Sequence, residues 1–323
     1  MLSRHFLRSK VLQIIYSGRY ESVSDANLSA VFEYHIGKLN ELGVLQVSLL
    51  PAVADAAGRI LEEGKGKFRP TEDDLNPNPK LAHNEFIRRM ADNFELKQCM
   101  EKWCNCWKLH DNLVREAFLD FRQRPEYKEY LEAEPGFETD KDFAVFLFRY
   151  LMNREALCEM IASRSLLWED DFDQIAQYNF MMLKTLEEDT FDEAMMWPLM
   201  YDRRREKDEE DMTFARQLLR DTLACREESD ELARRYLQGW EFERVSRMDI
   251  LLINMAVAEF TGCPTIPEKV TVDEYIELSK EFSSDRSRLF INGILDRMVL
   301  ELRSRGRINK TGRGLIDYNL NTD

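Results

Sequence analysis

Apolar residues in this chain recur with the spacing of a helix face, over long stretches that contain few chain breakers. Six of them follow that spacing between positions 291 and 302, and another series runs through residues 143–161. Glycine and proline, which interrupt helices, account for only 13 and 9 of the 323 residues, and no β-hairpin signal stands out. The sequence therefore predicts an all-α fold.

The net charge restricts what the whole surface can bind. There are 60 Asp and Glu against 45 Lys and Arg, a formal charge of −15, which excludes a protein that wraps nucleic acid with its entire surface. Any nucleic-acid contact must come from a local basic patch. The chain also lacks a run of about 18 apolar residues and the apolar centre of a secretory signal. We therefore predict a cytoplasmic protein without membrane contact.

Recognisable catalytic and cofactor motifs are absent from the sequence. There is no glycine-rich phosphate loop, nucleophile elbow or HExxH zinc motif, so we predict neither an enzyme nor a bound cofactor. Cys99, Cys104, Cys106 and His110 lie close together beside two tryptophans, but their spacing differs from that of the usual zinc sites. The favoured interpretation is a core of reduced cysteines and tryptophans rather than a metal site, with a structural metal as the alternative.

Composition divides the chain into four predicted segments. Residues 1–63 form N-terminal helices that include a basic first helix. Residues 64–204 comprise a linker, with three prolines between positions 65 and 80, and a helical insertion. Residues 205–305 form a C-terminal helical bundle, and residues 306–323 form a basic flexible tail.

Two sequences in the C-terminal bundle fit the capping box that closes the start of a helix. They are Ser246-x-x-Asp249 and Thr271-x-x-Glu274. In a capping box the hydroxyl accepts a hydrogen bond from the backbone N–H three residues later, and the acid accepts one from the capping residue. We expect a helix to begin at each position.

Basic residues collect at the two ends of this acidic chain. Residues 1–20 contain four Lys or Arg and no acid, and residues 297–313 contain six against one acid. Near the start, Arg4, His5 and Arg8 share a helix face that is offset from the apolar one. Such a face can hold phosphates or unstacked bases. For the C-terminal end, compensation of a helix dipole or a solvated tail remains the alternative.

Several short motifs together carry a family resemblance. They are PEKV at 267–270, EYIELSK at 274–280 and FINGILD at 290–296, with RHFLR at 4–8 and LQIIYS at 12–17. In these motifs the chain resembles the NusB family of transcription antitermination factors. It departs from the short family form by the helical insertion and by fewer arginines in the first helix.

The resemblance implies a NusB-like helical bundle that binds RNA and acts in transcription antitermination. The implied partners are single-stranded boxA-type leader RNA and NusE, a small-subunit ribosomal protein, together with other Nus factors and RNA polymerase. The implied role is to support the transcription of ribosomal RNA. By the same resemblance, the residues that contact RNA would be Arg4, His5, Arg8, Ser287 and Phe290.

The resemblance also places Tyr16, Glu243 and Asp249 toward NusE, where acids suit a basic ribosomal protein. Alternatives from the residues themselves stay open. Tyr16 and Phe290 are also explained by core packing, and Asp249 by the capping box. Gly293, which lies inside a predicted helix, is expected to mark the close approach of two helices.

Two other functions remain open. In the first, the acidic insertion dominates and the chain is a protein–protein scaffold with little RNA binding. In the second, the chain is a domain associated with an RNA methyltransferase, because NusB-like domains also occur fused to such enzymes. The sequence offers neither the cofactor loop nor a recognisable nucleophile for that chemistry.

Overall fold

The computed structural model describes residues 3–18, 25–104, 106–191, 199–202, 204–236, 245–284 and 286–315. All regular structure in these ranges is helical, which confirms the predicted all-α class. In chain order the α-helices are α1 (Arg4–Ser17), α2 (Asp25–Val47), α3 (Leu49–Lys65), α4 (Glu72–Leu75), α5 (Glu85–Asp92), α6 (Phe94–Trp103), α7 (Cys106–Leu109), α8 (Asp111–Phe121), α9 (Pro125–Glu132), α10 (Phe137–Leu151), α11 (Glu155–Ala162), α12 (Phe172–Thr185), α13 (Glu206–Ala224), α14 (Arg226–Tyr236), α15 (Arg247–Gly262), α16 (Glu268–Phe282) and α17 (Ser287–Ser304). Short 3₁₀ turns cover Leu166–Trp168, Glu188–Phe191 and Gly312–Leu315.

The chain divides into two compact units. The terminal unit comprises Met1–His35 and Tyr201–Asp323, and the inner unit comprises Ile36–Met200. The boundaries predicted from composition, after residues 63 and 204, differ from this division. The first differs because α3 packs on α5, α8 and α10 of the inner unit. These contacts join segments that are distant in sequence, and composition does not signal them.

Helix α15 is the centre of the terminal unit. It packs against α1, α13, α14, α16 and α17, and every residue from 251 to 260 is buried. A helix that is buried on all sides is apolar on all sides, and here only Asn254 and Glu259 depart from that pattern. Glu259 is therefore a carboxylate held inside the bundle, where it requires a cationic partner.

The inner unit is built around large aromatic side chains. Phe86, Phe118, Phe121, Phe148 and Trp168 are all fully buried. Burial of each such side chain contributes roughly 1.5–3 kcal/mol relative to leaving it in water. Several α-helices of this unit are short, so we infer that packing around these rings, more than helix propensity, stabilises them.

The stretch predicted as a linker contains local structure. Thr71 and Asp74 form a capping box at the start of α4. At the end of the stretch, the Lys80 ammonium group donates hydrogen bonds to the carbonyls of Tyr130 and Ala133, both at 2.5 Å. These carbonyls lie at the C-terminal end of α9, where helices leave such groups without internal partners. Lys80 thus attaches this stretch to α9.

Both capping boxes predicted for the terminal unit are wrong. Ser246 does cap α15, since its hydroxyl accepts from a backbone N–H of the first turn, but the Asp249 carboxylate bonds elsewhere. Helix α16 begins at Glu268, so Thr271 lies inside it and donates to the Glu259 carboxylate. The bonds that replace the boxes join residues on different helices, and local spacing does not reveal them.

The segment predicted as a flexible tail folds back onto the terminal unit as far as it is described. Gly306, at φ +66°, ends α17, and the backbone then returns to the loop between α15 and α16. There the Thr311 N–H donates to the Pro264 carbonyl and the Lys310 ammonium to the Cys263 carbonyl, both at 2.9 Å. We refer to residues 306–315 as the C-terminal strap.

One helical stretch, Asn27–Lys65, is long and apolar enough to cross a membrane by length and composition. Within its most apolar window, 67% is buried inside the molecule. A buried core helix has this same signature, because it is apolar on all sides. The burial accounts for the composition of this stretch without a lipid environment.

Candidate nucleic-acid interface

Helix α1 begins with cations, although the start of a helix favours negative charge. Ser3 caps it by accepting a hydrogen bond from the Phe6 N–H at 3.1 Å. Arg4 and His5 follow in the first turn and Arg8 one turn later, with no acid in that first turn. These cations need carboxylates from elsewhere in the fold, and the terminal unit supplies them.

Arg8 is buried and is bound by Glu259 of α15. Its Nε and Nη2 atoms each lie 2.7 Å from an oxygen of that carboxylate, and Nη1 lies 3.3 Å from Glu274. Thr271 and Tyr275 donate to the same Glu259 carboxylate at 2.9 and 3.2 Å. Burial alone would lower the pKa of Arg8, but Glu259 holds it above its usual value. This position corrects the prediction that Arg8 contacts RNA, because a side chain that is 2% exposed offers no surface.

Arg4 is partly buried and paired with two acids of α13. Its Nε lies 2.8 Å from Asp211 and its Nη2 3.3 Å from Glu210, while its guanidinium carbon lies 5.1 Å from the ring centre of Phe214. Asp211 is buried, whereas Glu210 is exposed and contributes little to the pairing. Arg4 therefore keeps only part of its charge for an external ligand.

His5 bridges two acids of α16. Its Nδ1 lies 2.8 Å from Glu274 and its Nε2 3.0 Å from Glu281. The hydrogen bond with Glu274 is the main cause that raises the pKa of His5 to about 9, so the ring is cationic at neutral pH.

The carboxylates that surround the first two turns of α1 therefore outnumber its cations there. Three cations face five carboxylates, which belong to Glu210, Asp211, Glu259, Glu274 and Glu281. The sequence gives no sign of this compensation, because each acid lies more than 200 residues from its partner. A basic segment in the sequence is thus not a basic surface in the fold.

The pairing of His5 predicts a stability that depends on pH. The pKa of His5 is about 9 in the folded chain and about 6.5 when unfolded, so its stabilisation is complete below pH 6.5 and is lost as pH rises through 9. Because the ring is partly exposed, solvent screens the pairs and we expect a loss of about 1 kcal/mol. Urea denaturation at a series of pH values measures it.

His5→Gln is the control for this prediction. Buried thiols such as Cys263, whose pKa burial raises to about 12, add their own decline above about pH 8.5, when the unfolded thiols ionise. The comparison is therefore made between pH 6.5 and 8.5. A decline in that window that is equally steep in H5Q would contradict the assignment to His5.

Ser287, predicted to contact RNA, and Asp249, predicted to face NusE, are hydrogen-bonded to each other. Ser287 Oγ donates to Asp249 Oδ2 at 3.0 Å, and Ser283 Oγ donates to Asp249 Oδ1 at 2.6 Å. Ser287 and Asp249 are both buried. Together they attach the start of α17 to α15. We correct both assignments, because these side chains hold helices together in the interior.

Helix α17 instead exposes a different set of side chains. Arg286, Phe290, Gly293 and Arg297 follow one another at the spacing of one helix face, and we call this set the α17 face. The two arginines are exposed and have no ion-pair partner in the part of the chain that the structure describes. Phe290 is partly exposed. A Cβ at Gly293 would meet no atom within 4 Å, so the expected close helix approach at Gly293 is wrong.

The α17 face combines what single-stranded nucleic acid requires. Guanidinium groups bind phosphates, and an aromatic ring beside an open position offers a base a surface for stacking. The sequence motif pointed to Phe290 but not to the arginines. Their helical spacing of four and seven residues from Phe290 was the available signal.

Of the other two residues predicted to face NusE, Tyr16 is exposed and Glu243 is not described by the structure. Tyr16 is 46% exposed. The Arg247 guanidinium lies 5.0 Å from the centre of its ring and donates to the Tyr16 carbonyl at 3.2 Å, so Tyr16 is not part of the core. Glu243 lies outside the described residues.

The cysteine cluster lies in the inner unit and forms part of a core. Cys104, Cys106 and Trp107 are buried, and the Trp107 indole N–H donates to Ser48 at 2.7 Å. Burial raises the pKa of Cys104 to about 12, so this side chain is a thiol at neutral pH. Within the described ranges, no group of three or more His, Cys, Asp or Glu is arranged to hold a metal ion.

The terminal unit is therefore an all-α bundle with an exposed face of arginine and phenylalanine. Residues 172–300 match the model of the NusB family. This matched region, which we call the family domain, includes α12 to α16 and most of α17. No solved structure gave a significant match.

Proteins similar to this chain include three that are each named transcription antitermination protein NusB. The one from Salinibacter ruber is 44% identical over 97 residues, which cover 30% of this chain and 61% of the relative. The one from Chloroherpeton thalassium is 37% identical over 91 residues, which cover 28% of this chain and 43% of the relative. The one from Myxococcus xanthus is 38% identical over 77 residues, which cover 24% of this chain and 55% of the relative. The chain thus matches less than two thirds of the length of each relative.

Proposed function

We propose that this chain is a non-enzymatic, cytoplasmic, RNA-binding transcription antitermination factor that acts with NusE on boxA-type leader RNA. Other Nus factors and RNA polymerase complete the assembly, which supports ribosomal RNA transcription. The observation that carries the proposal is the match of residues 172–300 to the NusB family, together with relatives named for transcription antitermination.

The α17 face is the RNA contact that the geometry supports best. Arg286 and Arg297 are available for phosphates, and the partly exposed Phe290 ring lies beside the open position at Gly293, where a base could stack. Arg4 and His5 lie near the same end of the bundle, because His5 bonds to Glu281 in the last turn of α16 and α17 follows after a short loop. Their carboxylate partners reduce the share of RNA affinity that we assign to them.

The double variant Arg286→Gln/Arg297→Gln tests the RNA face. We expect it to bind boxA RNA about tenfold more weakly, and to reduce the slope of log affinity against log salt by about 1.4, because two phosphate contacts are lost. Fluorescence anisotropy with labelled RNA measures both quantities. Both side chains are exposed, so the helical content should not change.

Arg69→Gln/Arg88→Gln is the matched control, because it removes two exposed arginines from the inner unit. It lowers the net charge equally but leaves the α17 face intact. If both double variants bound RNA equally well, the proposed RNA face would be rejected. Arg288→Gln, at the start of the same helix but off that face, provides a second comparison.

A protein scaffold with little RNA binding is the second candidate function. The observation that favours it is the compensation of the α1 cations by five carboxylates. Capture of purified NusE, with and without boxA RNA, separates the two functions. RNA that increases NusE capture supports the antitermination factor, whereas equal capture without RNA binding supports the scaffold. Tyr16, exposed and flanked by Arg247, is the NusE contact that we retain.

A further inference from the structure

We propose that a cleft in the terminal unit binds a phosphate group of the RNA backbone. The starts of α1 and α13 and the C-terminal strap form this cleft, which has a volume of about 740 Å³. Its wall includes Arg4, Lys207, Glu210, Asp211, Thr265 and Arg313. The inference rests on the proposed function, since it adds a contact to the same RNA.

The charges in the cleft favour an anion. Arg4 pairs with Asp211 and more weakly with Glu210, and together with Lys207 and Arg313 the lining carries three cations against two acids. Lys207 and Arg313 are exposed, and neither has an ion-pair partner among the residues that the structure describes. They belong to different segments but line the same space, so their positive potentials add. A phosphodiester is an anion that Lys and Arg both bind well.

The fold specifies where the strap places Arg313. The hydrogen bonds of Lys310 and Thr311 seat the strap on the loop that also provides Thr265. A Cβ at Gly314 would lie 2.1 Å from the Pro264 carbonyl oxygen, so only glycine permits this approach. Arg313 thus lies between Thr311, whose N–H bonds to the α15–α16 loop, and Gly314, which packs closely against that loop.

The other cations near the strap already have partners. Arg303 binds Glu268, and Arg307 binds Glu228 through two hydrogen bonds of 2.7 and 3.0 Å. Arg313 has no such carboxylate partner among the residues that the structure describes. The strap also lies beyond residues 172–300, so this contact would add to whatever the family domain itself provides.

The double variant Lys207→Gln/Arg313→Gln tests the cleft in the full chain. We expect about fivefold weaker binding of boxA RNA and a salt slope reduced by about 0.7, the change for one phosphate on a single strand. Arg69→Gln/Lys128→Gln removes one Arg and one Lys from exposed positions of the inner unit and is the matched control. Gly314→Ala removes no charge but displaces the strap, and we expect it to weaken RNA binding by about threefold.

The outcomes separate this inference from the proposed function. If the unmodified chain bound no RNA, the proposed function and the inference would both be overturned. If the chain bound RNA through the α17 face, while K207Q/R313Q behaved like its control, only the cleft would be rejected. If K207Q/R313Q lost affinity for poly-glutamate but not for RNA, the cleft would be a site for acidic protein, which also overturns the proposal.

Discussion

Replacing Arg8 with methionine is expected to destabilise the terminal unit by about 3–5 kcal/mol. The substitution removes the cation but leaves the fully buried Glu259 carboxylate with two hydroxyl donors and no close counter-charge. Desolvation makes such an isolated charge costly, whereas exposed pairs contribute about 1 kcal/mol or less. Urea denaturation followed by circular dichroism measures the loss as a lower midpoint.

Two further variants make this prediction specific. Arg307→Met breaks an exposed pair with Glu228 in the same unit, and we expect it to cost less than about 1 kcal/mol. Arg8→Met/Glu259→Met removes both buried charges, and we expect it to cost less than the sum of its single variants. Equal midpoints for R8M and R307M would show that the Arg8 pair is not held in the interior.

The expected destabilisation of Arg8 variants limits what they can reveal about RNA binding. A variant that loses Arg8 is expected to bind RNA poorly because the bundle is destabilised, not because a contact is lost. Arg286 and Arg297, which are exposed, test RNA contact without this complication. A cation is informative about binding only where its removal leaves the fold unchanged.

Replacing Asn84 with alanine is expected to destabilise the inner unit by about 2–4 kcal/mol. Asn84 is fully buried at the start of α5, where its Oδ1 accepts from the Ile87 N–H at 2.9 Å. Its Nδ2 donates to the Tyr130 hydroxyl at 3.1 Å and to the Asp140 carbonyl at 3.0 Å. Alanine leaves the Ile87 N–H without its capping partner and removes one hydrogen bond each from the Tyr130 hydroxyl, which still donates to the Asp140 carboxylate, and from the Asp140 carbonyl. Tryptophan fluorescence reports this transition, since Trp107 and Trp168 are buried in the inner unit.

Thr71→Ala is the matched control for Asn84. Thr71 also caps a helix of the inner unit, but it is exposed, so water replaces its bond and we expect a cost of about 1 kcal/mol or less. Because the chain has two compact units, the unfolding of the inner unit should be followed by its own signal, here tryptophan fluorescence. An Asn84→Ala variant as stable as Thr71→Ala would contradict the buried network.

Several features of the fold could be predicted from the sequence because they are local. Apolar residues at helical spacing between 291 and 302 predicted α17, and the short motifs predicted the NusB family. Capping boxes were predicted less well, because Asp249 and Thr271 bond to residues on other helices. The boundary predicted after residue 63 differs from the division of the structure after residue 35, because α3 packs against helices that are distant in sequence.

For the candidate site, the sequence by itself determined which residue types were present near α1 and α17, and that the chain is helical and NusB-like. Tertiary structure alone decided which of those residues reach solvent. Arg8, Ser287 and Asp249 are buried, whereas Arg286 and Arg297 are exposed without a partner among the described residues. The reason is physical: burial and ion pairing depend on which segments meet in space, and the acids that bind the α1 cations lie more than 200 residues along the chain.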